Sequence, residues 1–395
     1  MKDPIYFFSL YCILIFTAIG CRSTKNNMNQ MISSMDTIVL KSKKVKGFGP
    51  FSGMATVINF RDTSDTFTQQ IVYPNGLNGL KRLELKTDLW DPKSPKIEIL
   101  EGTFGQDSIY VVDQNNNKDL SDDPVNIYKK MDWSKNADII PITYSISRGD
   151  SIVQDSSWIS IGRGTGDNTL LGKREYLEAS FTIDKEEFQI GVFEKRNTSS
   201  FTYGYFPEAA LLSSLGVRKD TIIYSDMVKV DELLNLNGRF YRFHSVSSYG
   251  DQIVLIRDTT LNTKIGTQIG MIAPSFKAIT TANDTILSSE VKGKFTVIAN
   301  TCGCGGDTKS TDAYLEIEER YGDTIRLLHV DSNIGESLAG VHIDSMDDFN
   351  QNFYNIYREQ YCSRICYVID RNNRIVDKFD IDEWDNKLPT ILNIN

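Results

Sequence analysis

The stretch Gly293–Asp307 reads Gly-Lys-Phe-Thr-Val-Ile-Ala-Asn-Thr-Cys-Gly-Cys-Gly-Gly-Asp, and it constrains the fold of this chain more than any other. Its apolar, β-branched run predicts a short buried strand. The cysteine- and glycine-rich turn ends that strand, and Ser310–Tyr321 then carries a helix-like pattern. A strand that feeds a helix through a tight turn belongs to α/β architecture. A cysteine at the start of a helix faces unpaired backbone N–H groups and the positive end of the macrodipole. Both favour the thiolate, which is the reactive form. The segment therefore predicts an α/β domain that carries thiol chemistry.

The distribution of cysteines supports this reading. Of six, Cys12 and Cys21 lie near the N-terminus, whereas Cys302, Cys304, Cys362 and Cys366 fall in the last quarter of the 395 residues. Disulfides that staple a secreted fold would be spread more widely. The clustering points to one local redox or metal site. Four sulfurs suit zinc or copper(I), yet Cys-x-Cys and Cys-x3-Cys are not the usual zinc-ribbon spacings. Three histidines leave little room for a His-rich metal centre, and a net charge of −9 argues against a nucleic-acid partner.

Short strand-like runs between turn signals fill residues 36–258. They include Gly53–Phe60, Arg82–Leu85, Ile97–Leu100, Ser108–Val112, Ile142–Ile146, Trp158–Ile161, Glu187–Phe193, Phe240–Phe243 and Gln252–Ile256. They predict one or two antiparallel sandwiches or barrels, interrupted by a helix-like segment, Glu208–Leu215. Residues 259–269 are polar and punctuated by glycine, as in a linker. Beyond them, strands alternate with amphipathic helices. Thr324–Val330 reads as a strand and Asp347–Gln360 as a helix, with Phe349, Phe353, Ile356 and Tyr357 at helical spacing. Cys366–Ile369 and Arg374–Phe379 read as a hairpin. The expected class is multidomain: a mostly β region followed by an α/β domain over 270–395.

The first 20 residues hold an apolar run of roughly 15 residues behind Lys2, short for a membrane span and suited to a signal peptide. Ala18-Ile19-Gly20-Cys21 resembles a bacterial lipobox. That resemblance implies lipidation at Cys21, a flexible tether over 21–35 and an extracytoplasmic, membrane-anchored protein, periplasmic or on the outer membrane. An ordinary cleaved signal or a retained helix anchor would read similarly.

Gly270-Met-Ile-Ala-Pro-Ser-Phe276 is similar to the G-x-x-A-P-x-F opening of peroxiredoxins and TlpA-like thioredoxin-fold proteins. Thr285-Ile-Leu-Ser, Lys292-Gly-Lys, the strand, the cysteines and the closing Tyr367-Val-Ile-Asp370 follow in the order of that redoxin superfamily. The resemblance covers about a third of the chain and implies a thioredoxin fold with no required cofactor. It places Cys304 nearest the N-terminal active cysteine of the family, with Cys302 or Cys362 as partner thiol. Asp307 stands where a thioredoxin has its second cysteine, no tryptophan precedes the site, and Arg364 stands where the cis-proline would be. Thr301-x-x-Cys304 and Arg364 instead match the peroxiredoxin pattern.

Two activities follow from the resemblance. One is thiol–disulfide exchange with a protein disulfide, recycled by an extracytoplasmic reductant. The other is peroxide reduction, with Thr301 orienting the peroxide and Arg364 stabilising charge. A non-enzymatic lipoprotein with a degenerate redoxin domain is the third reading. The bland alternatives are definite. Cys366 would be a buried structural thiol, Arg364 a partner for a surface carboxylate, Thr301 a helix N-cap, and His329 a satisfied core residue. In the β region, Asp113, Asn115, Asn117, Asp119 and Asp122 resemble an EF-hand-type or dockerin-type calcium loop, although Lys118 replaces the turn glycine. An Asx-rich turn is the competing expectation.

Overall fold

A computed structural model describes residues 37–87, 96–134, 138–148, 151–194, 201–214, 216–291, 293–302, 307–331, 341–358 and 362–392. The signal segment, Cys21 and Cys304 lie outside the described residues.

The β region forms four sheets, and antiparallel pairs build them. Alternation within the strands decides how the sheets pack. Leu177, Phe188, Ile190 and Val192 point from a six-stranded sheet onto Leu234, Leu236, Phe243 and Leu255 of a four-stranded one. Ile97, Ile99 and Val112 of a five-stranded sheet meet Ile142, Tyr144, Ile159 and Leu171 of a second four-stranded sheet. Each pair of apolar faces excludes water from the other, which is what a sandwich requires.

The segment expected to be helical at Glu208–Leu215 is instead the strand Pro207–Ser214. It lies inside the six-stranded sheet, paired with Glu186–Glu194 on one side and with Val217–Arg218 and Val228–Lys229 on the other. Its first four residues are all buried. Ala and Leu are good helix formers in isolation, but pairing on both edges overrides that weak preference.

The C-terminal part has a mixed five-stranded sheet. Its elements are β1 (Thr296–Asn300), α1 (Thr308–Tyr321), β2 (Arg326–Asp331), β3 (His342–Asp344), α2 (Gln351–Tyr357), β4 (Ile365–Ile369), β5 (Ile375–Asp380) and α3 (Trp384–Ile391). The spatial order is β3-β2-β1-β4-β5. β1, β2 and β3 run parallel, whereas β4 and β5 run antiparallel to their neighbours. The order along the chain is thus β-α-β-β-α-β-β-α. In β1, Val297 and Ala299 face Tyr314 and Ile317 of α1 and Trp384 and Leu388 of α3. Ile298 points the other way, into a core with Phe353 and Tyr357 of α2. That alternation puts helices on both faces of the sheet.

Two expectations change here. The helix expected over Asp347–Gln360 is shorter: a 3-10 turn at Asp348–Asn350 leads into α2. Phe349 therefore leaves the apolar stripe and is 78% exposed. The glycine-punctuated segment 259–269 is packed rather than loose. Leu261 is buried, Arg374 donates to Gly270 O and Asn262 O at 3.0 Å each, and the Gln268 side chain bonds both backbone groups of Leu233.

Candidate functional site

β1 ends at Asn300, and the next two residues begin the site. Thr301 is wholly buried and its N–H donates to Val330 O at 3.0 Å. Cys302 is 2% exposed, and its N–H donates to Ser310 Oγ at 3.0 Å. Cys302 is disulfide-bonded to Cys362, with the two Cα atoms 4.7 Å apart. Cys362 precedes β4 and is exposed. The antiparallel pairing of β1 with β4 brings these residues together, although 60 positions separate them in the chain. The bond thus joins a buried sulfur at the head of the sheet to a surface loop.

The expected nucleophile, Cys304, lies outside the described residues, so the structure pairs the other two candidate thiols. Cys366, also a candidate resolving thiol, is fully buried in β4 opposite Ala299. Burial, reinforced by Asp380, pushes its thiol well above its ordinary value. It fills the core and is remote from solvent oxidants or thiols, the structural role weighed for it.

Thr301 is not the N-cap considered for it. The N-cap of α1 is Asp307, whose carboxylate accepts from Ser310 N–H at 3.3 Å. The Thr301 hydroxyl is instead held between His329 and Asp331. It donates to Asp331 Oδ2 and lies 2.7 Å from His329 Nε2. His329 Nδ1 is 2.8 Å from His342 Nδ1, and Tyr314 stacks on the His329 ring at 4.0 Å between centroids. Burial, and then His342 and Arg358, push His329 down to about 3, so its imidazole is neutral. One hydroxyl has one proton, and the Thr301 proton goes to Asp331. His329 must then donate from Nε2 to Thr301 and accept at Nδ1 from the N–H of His342. The direction of the whole chain is thereby fixed.

Arg358 is a functional-site residue that the sequence reading passed over as part of a helix. It is 1% exposed and donates to Val330 O at 3.0 Å and Thr301 O at 3.2 Å. The amide of Asn300 donates to Tyr357 O and Ile365 O at 2.9 and 2.7 Å. The only prior signal for Arg358 was one cation behind the aromatic residues of α2. Arg364 forms ion pairs with Asp307 at 2.9 Å, Asp380 at 3.4 Å and also Asp382. Burial alone would lower its pKa, but Asp380, Asp382 and Asp307 together carry it above the usual value. Among the described residues its ion-pair partners are these three carboxylates.

The candidate calcium loop closes on itself. Asp113 accepts from the N–H groups of Asn117 and Lys118, Asn117 from Asp119 N–H, and Asp119 from Ser121 N–H, a run of Asx turns. Asn115 and Asn117 amides donate to Asp122, and the Lys118 ammonium lies 3.8 Å from Asp113. Asp123 is pushed up to about 6 by burial, helped by Asp113, Asp122 and Asp119. Among the described residues no group of three or more His, Cys, Asp or Glu side chains is placed to hold a metal ion.

No family model and no curated relative matches the chain. Among solved structures it is similar to the thioredoxin domain of a thiol-disulfide oxidoreductase from Bacteroides vulgatus, at 18% identity, 32% of this chain, 99% of that one and a TM-score of 0.26. A thiol:disulfide interchange protein from a Bacteroides species matches at 18% identity, 32% of this chain, 91% of that one and a TM-score of 0.26. The mitochondrial 2-cys peroxiredoxin of Plasmodium falciparum matches at 16% identity, 32% of this chain, 94% of that one and a TM-score of 0.26.

Proposed function

We propose that this chain is a membrane-tethered, extracytoplasmic thiol–disulfide oxidoreductase that works by opening and closing the Cys302–Cys362 disulfide. The observation that carries the reading is the bond itself, which joins buried Cys302 to the exposed residue Cys362. A disulfide that serves only as a staple gains nothing from an exposed sulfur, whereas exchange needs one that an incoming thiolate can reach. Such a bond persists in oxidising compartments outside the cytoplasm, which agrees with the lipobox-like run before Cys21. The substrate class is a protein disulfide, and a dithiol reductant returns the pair to its reduced form. Peroxide reduction by Thr301, Cys304 and Arg364 has less support, because the Thr301 hydroxyl and the Arg364 guanidinium are both engaged elsewhere.

The test is a redox titration of the full chain in dithiothreitol buffers, followed by turnover of an oxidised protein substrate. The Cys302–Cys362 pair should reduce and reform as one two-electron couple, and Cys302→Ser or Cys362→Ser should abolish turnover. Full turnover by the Cys302→Ser/Cys362→Ser double variant would overturn the reading. Membrane tethering is checked by mass spectrometry of the mature N-terminus and by release of a Cys21→Ala variant into the soluble fraction.

A further inference from the structure

The two sulfurs of the bond are not equivalent, and their surroundings differ on every count. Cys302 is 2% exposed, and the backbone that leads into it is held by hydrogen bonds. Thr301 N–H is bound to Val330 O, Thr301 O accepts from Arg358, and Cys302 N–H is bound to Ser310 Oγ. These bonds are buried and join β1, β2, α1 and the end of α2. Bringing the Cys302 sulfur to the surface would break several of them at once, each leaving a buried polar group unsatisfied. Cys362 is exposed and sits outside the sheet, ahead of β4. The Arg358 guanidinium is bonded to the carbonyl of the residue preceding Cys302 and so helps to hold that backbone in place.

We infer that Cys362, not a cysteine of the Cys302-x-Cys304 turn, is the catalytic thiol that exchanges with substrate, and that Cys302 is the internal resolving thiol. The inference rests on the exchange reading above and assigns the order of events within it. In the reducing direction the Cys362 thiolate attacks one sulfur of a substrate disulfide. A Cys362–substrate bond forms, and the other substrate sulfur leaves as a thiolate. Cys302, having lost its proton, then attacks Cys362 Sγ. The internal disulfide forms and the second substrate sulfur leaves. Two electrons pass from the cysteine pair to the substrate, which ends as two thiols. In recharging, one thiolate of a dithiol reductant attacks Cys362 Sγ, on the exposed residue, and Cys302 leaves as the thiolate. The reductant's second thiolate then attacks the reductant sulfur of that mixed disulfide. Cys362 leaves as the thiolate, and the reductant ends as a disulfide.

The experiment uses the full chain in detergent, with oxidised glutathione as the probe and peptide mapping by mass spectrometry. In Cys302→Ser the trapped glutathione adduct should sit on Cys362, in excess of Cys304 by about ten-fold or more. In Cys362→Ser, modification of Cys302 should be slower by about ten-fold or more. Adduct on Cys304 in the first variant, or equally fast modification of Cys302 in the second, would overturn the assignment. Reduced wild type gives a check free of substitution: limiting iodoacetamide should label Cys362 before Cys302, and the reverse order counts against the inference. The wild-type control separates the two levels. If glutathione disulfide closes Cys302–Cys362 in wild type but Cys302→Ser traps at Cys304, exchange stands and the order is wrong. If wild type never closes the bond, the exchange reading itself fails.

Discussion

Two buried polar clusters of this protein, one in the C-terminal part and one in the β region, are bonded in different ways. In the C-terminal sheet, Asn300, Thr301, His329, Asp331, His342 and Arg358 are all buried, and their hydrogen bonds link them into one network beneath Cys302. In the β region, Lys173, Glu175 and Glu194 are equally buried but only partly satisfied. Glu175 accepts from Ser157 and Tyr203 at 2.8 Å each. Lys173 Nζ has no hydrogen-bond partner among the described residues and lies 4.3 Å from the Tyr203 ring centroid, and Glu194 Oε2 is also unsatisfied. Burial lowers the Lys173 pKa and raises that of Glu194. A connected network fixes geometry, whereas an incompletely bonded one mainly costs stability. The difference locates where the fold requires accuracy, which is around the disulfide.

Substitutions can break that contrast. The largest effect is expected from Arg358→Ala, which removes the guanidinium donor from Thr301 O, leaves Val330 O with the Thr301 N–H, and opens a cavity. Urea unfolding should show a loss of about 3 kcal/mol or more, and an effect under about 1 kcal/mol would mean that the network is not structural. The second effect is a pH dependence. Unfolded His329 binds a proton near its ordinary 6.5, while the folded one stays neutral until about 3. Between these values the unfolded state binds more protons. Its contribution to stability is therefore full above pH 6.5 and is lost as pH falls through that window. From pH 7 to 5 the loss should be about 2 kcal/mol, and it should be absent from the pH profile of His329→Gln, so that the difference between the two profiles isolates it.

A third substitution sharpens the other side of the comparison. Lys173→Met combined with Glu194→Gln should leave stability within about 1 kcal/mol of wild type or raise it, because poorly bonded buried charges gain little over apolar packing. A large loss in thermal or urea unfolding would show that the β region is as exacting as the α/β part. The smallest effect is expected from Asp307→Ala, about 1 kcal/mol for the lost N-cap of α1. Asp307→Asn should recover most of it, since Asn caps as well as Asp and only the Arg364 ion pair is lost.

Much of this architecture was legible in the sequence because local periodicity reported it. β1, α1 and the closing hairpin carry strong apolar patterns and turn residues, and their expected bounds lie within a few positions of the observed ones. The strands Thr169–Lys173 and Glu175–Ile183 were not legible. They meet at Lys173-Arg174-Glu175, which reads as a charged turn but is buried in the structure. Pro207–Ser214 failed for the opposite reason: its local preference is helical, and only its two neighbours make it a strand. The cysteines were found by their clustering, but which pair bonds is a property of β1 meeting β4 and cannot be read from spacing. Thr301 was singled out for its distance from Cys304. Its partners His329 and Asp331 lie two strand positions apart on β2, a juxtaposition created by parallel pairing. His342 gave no local signal, and Arg358 only that of one cation behind the aromatic residues of α2.

The buried thiol of Cys366 has a use that needs no added label. It sits in the central part of the five-stranded sheet, only four positions beyond exposed Cys362. A reagent in solution can reach it only when strands separate. Under slow labelling, its modification rate therefore counts openings of that sheet, while Cys362 in the same digest reports exchange at the surface. One chain thus carries two clocks in a single peptide region, one for chemistry and one for unfolding.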